Sequence, residues 1–168
     1  MDVEAPQTRR VEHPLRQDQP VSGHHHGVGA RIRDGLLCGL GGLGVRAEAF
    51  RADLSDEAGC EALVPAVVER FGRLDAVVNN AGYHLVGAAL ETTPEELRAQ
   101  MELNFFGSVN VLRAAVPLMI EQRAGRLVNV GSIGGVLASP FAAAYKASKF
   151  ALEGYAAALR AECAPFFG

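Results

Sequence analysis

Tyr145 and Lys149 stand four residues apart in the stretch AAYKASKFALEG, residues 143–154. On a helix that spacing places both side chains on one face, and an ammonium beside a phenol favours the phenolate that a general acid/base requires. Of the 16 basic residues only Lys146 and Lys149 are lysines, the rest being arginine. Lys146 reads as a solvated helix residue. Ser132 lies thirteen residues before Tyr145 in a glycine-rich turn. Its hydroxyl can hold a substrate oxygen for the tyrosine, or it can bond its own backbone as turn serines do. Asn104 falls within a helical pattern, where asparagine is unfavourable, so it is either exposed or bonded through its amide to a neighbouring backbone.

The elements that would carry these residues alternate between strand and helix. Residues 45–54 alternate like a strand, and 55–72 read as a helix with Ser55 as N-cap and a bend at Pro65. Residues 74–82 form a short apolar strand feeding a polar turn, and 126–135 repeat that pattern. Between them 93–122 read as a long helix, opened by a capping box from Thr93 to Glu96 with Pro94 at its first position, and interrupted by Gly107 and Pro117. A final helix spans 142–163. Parallel strands are therefore expected near 46–52, 74–79 and 126–131, with helices on both faces and ligands beyond the carboxyl ends of the strands.

Composition narrows the function classes. A chain of 168 residues, 49% hydrophobic and 21% charged, supports one core. Residues 1–20, with three prolines and no periodicity, are expected to be disordered, leaving 21–168 as the folded domain. A net charge of -3 and scattered arginines offer no cationic field, so nucleic acid is not an expected partner. Cys38, Cys60 and Cys163 lack metal-ligand spacing and read as reduced, and the cytoplasm is the expected compartment. The continuous apolar runs fall short of the ~20 residues of a spanning helix, so no membrane is expected.

Taken together, NNAG at 79–82, Asn104, NVGSIGG at 129–135 and YKASK at 145–149 resemble the short-chain dehydrogenase/reductase family in motif, order and spacing. The hydroxysteroid and retinol dehydrogenase branch is the most similar. The resemblance implies an α/β fold, a Rossmann-like three-layer sandwich with a parallel sheet, here truncated. It implies an NAD(P)-dependent oxidoreductase interconverting a small-molecule alcohol and a carbonyl, forming a homo-oligomer through the helices at 93–122 and 142–163. By that resemblance Tyr145 is the catalytic acid/base, Lys149 favours its ionisation and bonds the nicotinamide ribose, Ser132 orients the substrate oxygen, and Asn104 anchors a proton-relay water. Asp53 and Leu54 carry over to the adenine, and Asn80, Ala81 and Gly82 to the adenosine ribose.

The family's phosphate loop has a counterpart in SGHHHGVG, with Gly23, Gly27 and Gly29 in register. The residues before it, with two prolines and few apolar side chains, do not read as a central strand. The 16 residues 30–45 allow a single crossover where the family places a helix, a strand and another helix, so the residue that selects NAD or NADP is missing. His24, His25 and His26 fan apart as consecutive residues and do not read as a metal site. The chain as given is therefore expected to bind NAD(P) poorly and to turn over little. The alternative to an enzyme is a truncated, non-catalytic remnant that dimerises or binds.

Overall fold

The computed structural model describes residues 46–167. The expected disordered segment 1–20, the glycines Gly23, Gly27 and Gly29, and the His24–His26 run lie outside the described residues, as does Cys38.

Helix α1 spans Glu57–Phe71. Its N-cap is Asp56, not the expected Ser55: the Asp56 carboxylate accepts from the Gly59 N–H at 3.2 Å. Ser55 is diverted because its N–H and hydroxyl both donate to Asp53 Oδ1, at 3.0 and 2.7 Å. An aspartate two residues upstream that closes an Asx turn outcompetes the cap. Pro65 sits inside the helix without ending it; Gly72 ends it, at φ +88°, a left-handed cap that suits glycine.

Strands β1, Ala76–Asn79, and β2, Arg126–Asn129, pair in parallel, with Ala76 opposite Arg126 and Asn79 opposite Asn129. Between them the capping box forms as expected: Glu96 N–H donates to Thr93 Oγ1 at 3.2 Å, and Thr93 N–H to Glu96 Oε2 at 2.8 Å. The helical run then divides into α2, Pro94–Met101, a π-helical turn at Glu102–Phe106, and α3, Gly107–Gln122. The expected interruptions are thus corrected. The ladder is disturbed before Gly107, whose N–H bonds Glu102 O, and Pro117 leaves α3 intact. Gly107 allows close approach, since a Cβ there would lie 3.2 Å from that of Leu54. A 3₁₀ turn at Ile133–Gly135 follows β2, and α4, Ala143–Phe167, ends the described chain.

Helix α3 packs on β1 and carries α1 and α4 against it, while α2 packs on α4. Leu112, Ala115, Met119 and Leu152 form the centre of this layer, all buried. Val78 and Val128 point the other way and remain 61% and 47% exposed. The result is a Rossmann-like α/β arrangement with a small parallel sheet. At the polar end of the pair, Asn79 Nδ2 donates to Asn129 Oδ1 at 2.9 Å and to Ser108 O at 3.4 Å.

Two expectations need correction. Residues 46–52 form no strand among the described residues. Their alternation was real, but Ala47, Glu48 and Ala49 are weak strand formers, and a strand exists only through a ladder partner. Secondly, the run Pro94–Gln122, 29 residues with a mean hydropathy of 1.4 in its most apolar window, is long and apolar enough to cross a membrane. Counting uninterrupted apolar runs missed it because scattered polar residues on a long helix barely lower its average. The buried Val111, Leu112, Ala115 and Met119 also give it a role as a core helix.

Candidate active site

Both strands release their chains toward the start of α4, and the side chains singled out in the sequence meet there. Ser132 caps the 3₁₀ turn: its Oγ accepts from the Gly134 N–H at 3.0 Å. A Cβ built on Gly134 would lie 3.2 Å from Ser132 Oγ and 3.3 Å from Tyr145 Cε1. Serine hydroxyl and tyrosine ring therefore flank one glycine, and a Cβ between them would be a tight fit. The turn-serine reading of Ser132 is correct as far as it goes, but its own O–H hydrogen is not spent on that bond.

Lys149 is buried, and its Nζ donates to Val130 O at 2.7 Å, just past the end of β2. The same ammonium lies over the Tyr145 ring, 5.9 Å from its centroid. One of its three hydrogens is used by Val130, and the others remain for a second partner. Lys146 is not merely solvated: its Nζ donates to Leu137 O at 2.7 Å and ties the loop that precedes α4 to that helix.

Asn104 is 1% exposed, within the π-helical turn. Its Oδ1 accepts from Tyr83 N–H at 2.9 Å, and its Nδ2 donates to Tyr83 O at 2.9 Å and Ser148 Oγ at 3.1 Å. Ser148 in turn donates to Tyr145 O at 2.7 Å. The amide clamps the loop after β1 and joins it to the backbone of Tyr145, so both of its N–H hydrogens are already engaged. A π turn is a frequent device where a helix must present a side chain out of regular phase.

Asn80, Ala81 and Gly82 are exposed at the carboxyl end of β1. Gly82 is pressed against the clamp, since a Cβ there would meet Asn104 Oδ1 at 2.9 Å. Asp53 and Leu54 lie before α1 and are tied elsewhere. The Asp53 carboxylate accepts from Ser55, and Leu54 O accepts from Asn110 Nδ2 at 3.0 Å. Among the described residues no group of three His, Cys, Asp or Glu side chains could hold a metal.

Sequence reasoning missed two residues. Gln100, fully buried, accepts from Leu85 N–H and donates to Tyr83 O, both at 2.8 Å. Its place one turn before Asn104 on a helix facing the same loop was the available signal. His84 packs its ring on Tyr145, with centroids 4.2 Å apart and a 40° tilt. No local pattern announces that contact. An apolar cleft of about 540 Å³ between α3, β2 and α4, lined by Met119, Leu127 and Leu152 among others, contains none of Ser132, Tyr145 or Lys149.

The geometry has known counterparts. The sequence profile described as short chain dehydrogenase matches residues 30–166. A 3-ketodihydrosphingosine reductase of Bacteroides thetaiotaomicron is 42% identical over 114 residues, covering 68% of this chain and 42% of that protein. Human dehydrogenase/reductase SDR family member 7 is 39% identical over 116 residues, 69% of this chain and 34% of that one. Among solved structures, a short-chain dehydrogenase from Streptomyces avermitilis superposes with a TM-score of 0.74 at 40% identity, over 80% of this chain and 50% of that one. NAD+-bound xylitol dehydrogenase superposes at 0.79 with 29% identity, over 82% and 53%. The chain thus spans half or less of the length of the first three and about half of the fourth.

Proposed function

The chain belongs to the short-chain dehydrogenase family, a family of oxidoreductases, and we propose that its site interconverts an alcohol and a carbonyl by hydride transfer, with Tyr145 as general acid/base. The observation that carries this reading is the placement of Ser132 Oγ and the Tyr145 ring on either side of Gly134, with the Lys149 ammonium over that ring. In the reducing direction Tyr145 Oη gives its proton to the carbonyl oxygen as hydride reaches the carbon. In the oxidising direction it takes the alcohol proton. The Ser132 O–H donates to the same oxygen, and Lys149 stabilises the phenolate left behind. Asn104 acts by holding the loop after β1, since its amide is already engaged.

A nicotinamide cofactor, NAD or NADP, supplies the hydride when bound. The described residues fit it at two places: the exposed Asn80–Gly82 turn at the end of β1, and the ammonium hydrogens that Lys149 does not spend on Val130. Gly23, Gly27 and Gly29 would cradle its pyrophosphate.

Titration with NADH and NADPH, followed by turnover on a panel of alcohols and ketones, tests the proposal. Tyr145→Phe should lower turnover by about 10²- to 10⁴-fold, the usual share of acid–base catalysis. Turnover indifferent to that change refutes the assignment. A second reading, a non-catalytic module that associates with copies of itself, draws on the exposed Val78 and Val128 and on Leu97, Phe106 and Phe150 along the helices. Sedimentation showing a dimer, with no cofactor binding at millimolar concentration, would favour it.

A further inference from the structure

We infer that His84 is a positioning residue for Tyr145, its imidazole holding the phenol ring in the orientation that turns one edge toward Gly134 and Ser132. This rests on the reading of Tyr145 as general acid/base and names what aims it. The last torsion of a tyrosine is soft and roughly two-fold, so its ring takes direction from what it touches. The bond from Ser148 Oγ, at 2.7 Å, is to the Tyr145 carbonyl and fixes the backbone without fixing the ring. The ring itself meets Gly134 at Cε1, the Lys149 ammonium 5.9 Å from its centroid, and the His84 ring at 4.2 Å with a 40° tilt. Gly134 has no side chain to grip with, and Lys149 is a long side chain drawn to Val130 O. His84 alone of these three offers a rigid plane, in the tilted contact that aromatic rings favour.

That plane is held in turn from both sides. Asn104 Oδ1 accepts from the Tyr83 N–H, Asn104 and Gln100 both donate to Tyr83 O, and Gln100 Oε1 accepts from the Leu85 N–H, all at 2.8 or 2.9 Å. His84 is the residue between these two clamped neighbours. Asn104 also donates to Ser148 Oγ, the group that holds the Tyr145 carbonyl. One buried amide thus sets the backbone under both rings, and their separation is fixed from a single point. The imidazole itself is exposed, so burial does not account for so firm a hold on it. The tyrosine it faces does.

The test is nuclear Overhauser spectroscopy of the cofactor-free 168-residue chain, with the ring signals of its three tyrosines sorted by Tyr145→Phe. The wild type should show contacts from the Tyr145 ring to the His84 ring and to the Gly134 α-protons. His84→Ala should lose the Gly134 contact, and His84→Phe, which keeps a flat ring, should restore it. A Gly134 contact retained in His84→Ala, or lost in His84→Phe as well, overturns the inference. Both variants should keep the wild-type urea midpoint, and a midpoint that falls with the contact makes His84 a folding residue instead. On the ketone of the panel that is reduced fastest, His84→Ala should lower kcat by about ten- to a hundredfold at unchanged KM, the mark of a misaimed group. His84→Phe should recover most of that loss. If Tyr145→Phe leaves turnover unchanged while the Overhauser pattern holds, the reaction reading fails and His84 still sets the ring. If Tyr145→Phe abolishes turnover and His84→Ala keeps the wild-type kcat, the reaction stands and this inference is wrong.

Discussion

The loop after β1 and the loop after β2 flank the same tyrosine, but they are fixed by opposite means. The first, through Tyr83 and Leu85, is held from outside by the neutral amides of Gln100 and Asn104, both buried. The second is held by its own turn and by the ammonium groups of Lys149 and Lys146 on the carbonyls of Val130 and Leu137. These two neutral buried amides hold the loop's backbone, so their loss should register as instability. Both ammonium groups at the second loop serve structure, and on the proposed reading Lys149 alone also serves chemistry, so its loss should register chiefly as lost turnover.

The sharpest way to break this comparison is Lys149→Met. We expect a loss of roughly 10²-fold or more in turnover from the missing charge beside Tyr145, against a stability cost of about 1.5–3 kcal/mol for one charge-assisted bond. Lys146→Met removes an equivalent bond from the same helix at a similar or smaller stability cost and leaves turnover nearly unchanged. If both substitutions reduce turnover alike, the lysines act only as struts.

On the neutral side, Asn104→Ala removes the amide oxygen that Tyr83 N–H donates to and one of two amide donors to the Tyr83 carbonyl. Urea unfolding should show a loss of about 3 kcal/mol, and Gln100→Ala a loss of about 2 kcal/mol. Gly82→Ala tests the same clamp from the other side. Asn104 Oδ1 is pinned and cannot yield to the new methyl, so about 1–3 kcal/mol should be lost; an unchanged midpoint would mean that the clamp is loose.

The smallest effect concerns pH. Burial, then the nearby carboxylates of Asp56 and Asp53, hold the Cys60 thiol above its ordinary value of 9.0. Burial and then Glu96 likewise raise the Tyr83 phenol above 10.0. Both groups ionise first in the unfolded chain, which then binds fewer protons, so stability falls as pH rises past 9. The fall for each is at most about 1.4 kcal/mol per pH unit, and Cys60→Ala should remove the earlier part of it in urea titrations between pH 8 and 11.

What the sequence disclosed about this region was what is encoded locally. The Thr93–Glu96 box and the short apolar strands before NNAG and NVGSIGG each depend on a few adjacent residues, and all formed. The segment 46–52 misled because a strand is a property of two segments, and one alternating segment cannot supply its partner. Ser55 misled by one residue because Asp53 competed for it. The site itself was legible as a set of residue types in order, whereas the clamp on Tyr83 and the contact between His84 and Tyr145 join residues that no local pattern links.

The Asn79–Asn129 pair at the end of the two strands also bears on how fast the protein reaches this state. Pairing parallel β1 and β2 closes a loop that contains α2, the π turn and α3, a long closure of the kind that slows folding. Runs of valine and leucine in such short strands would tolerate a slip by one residue while searching. A slip sets Asn79 against an aliphatic side chain and strands its amide, so misaligned pairings dissolve quickly. The bond between the two asparagines thus favours the register that brings Ser132 toward Tyr145.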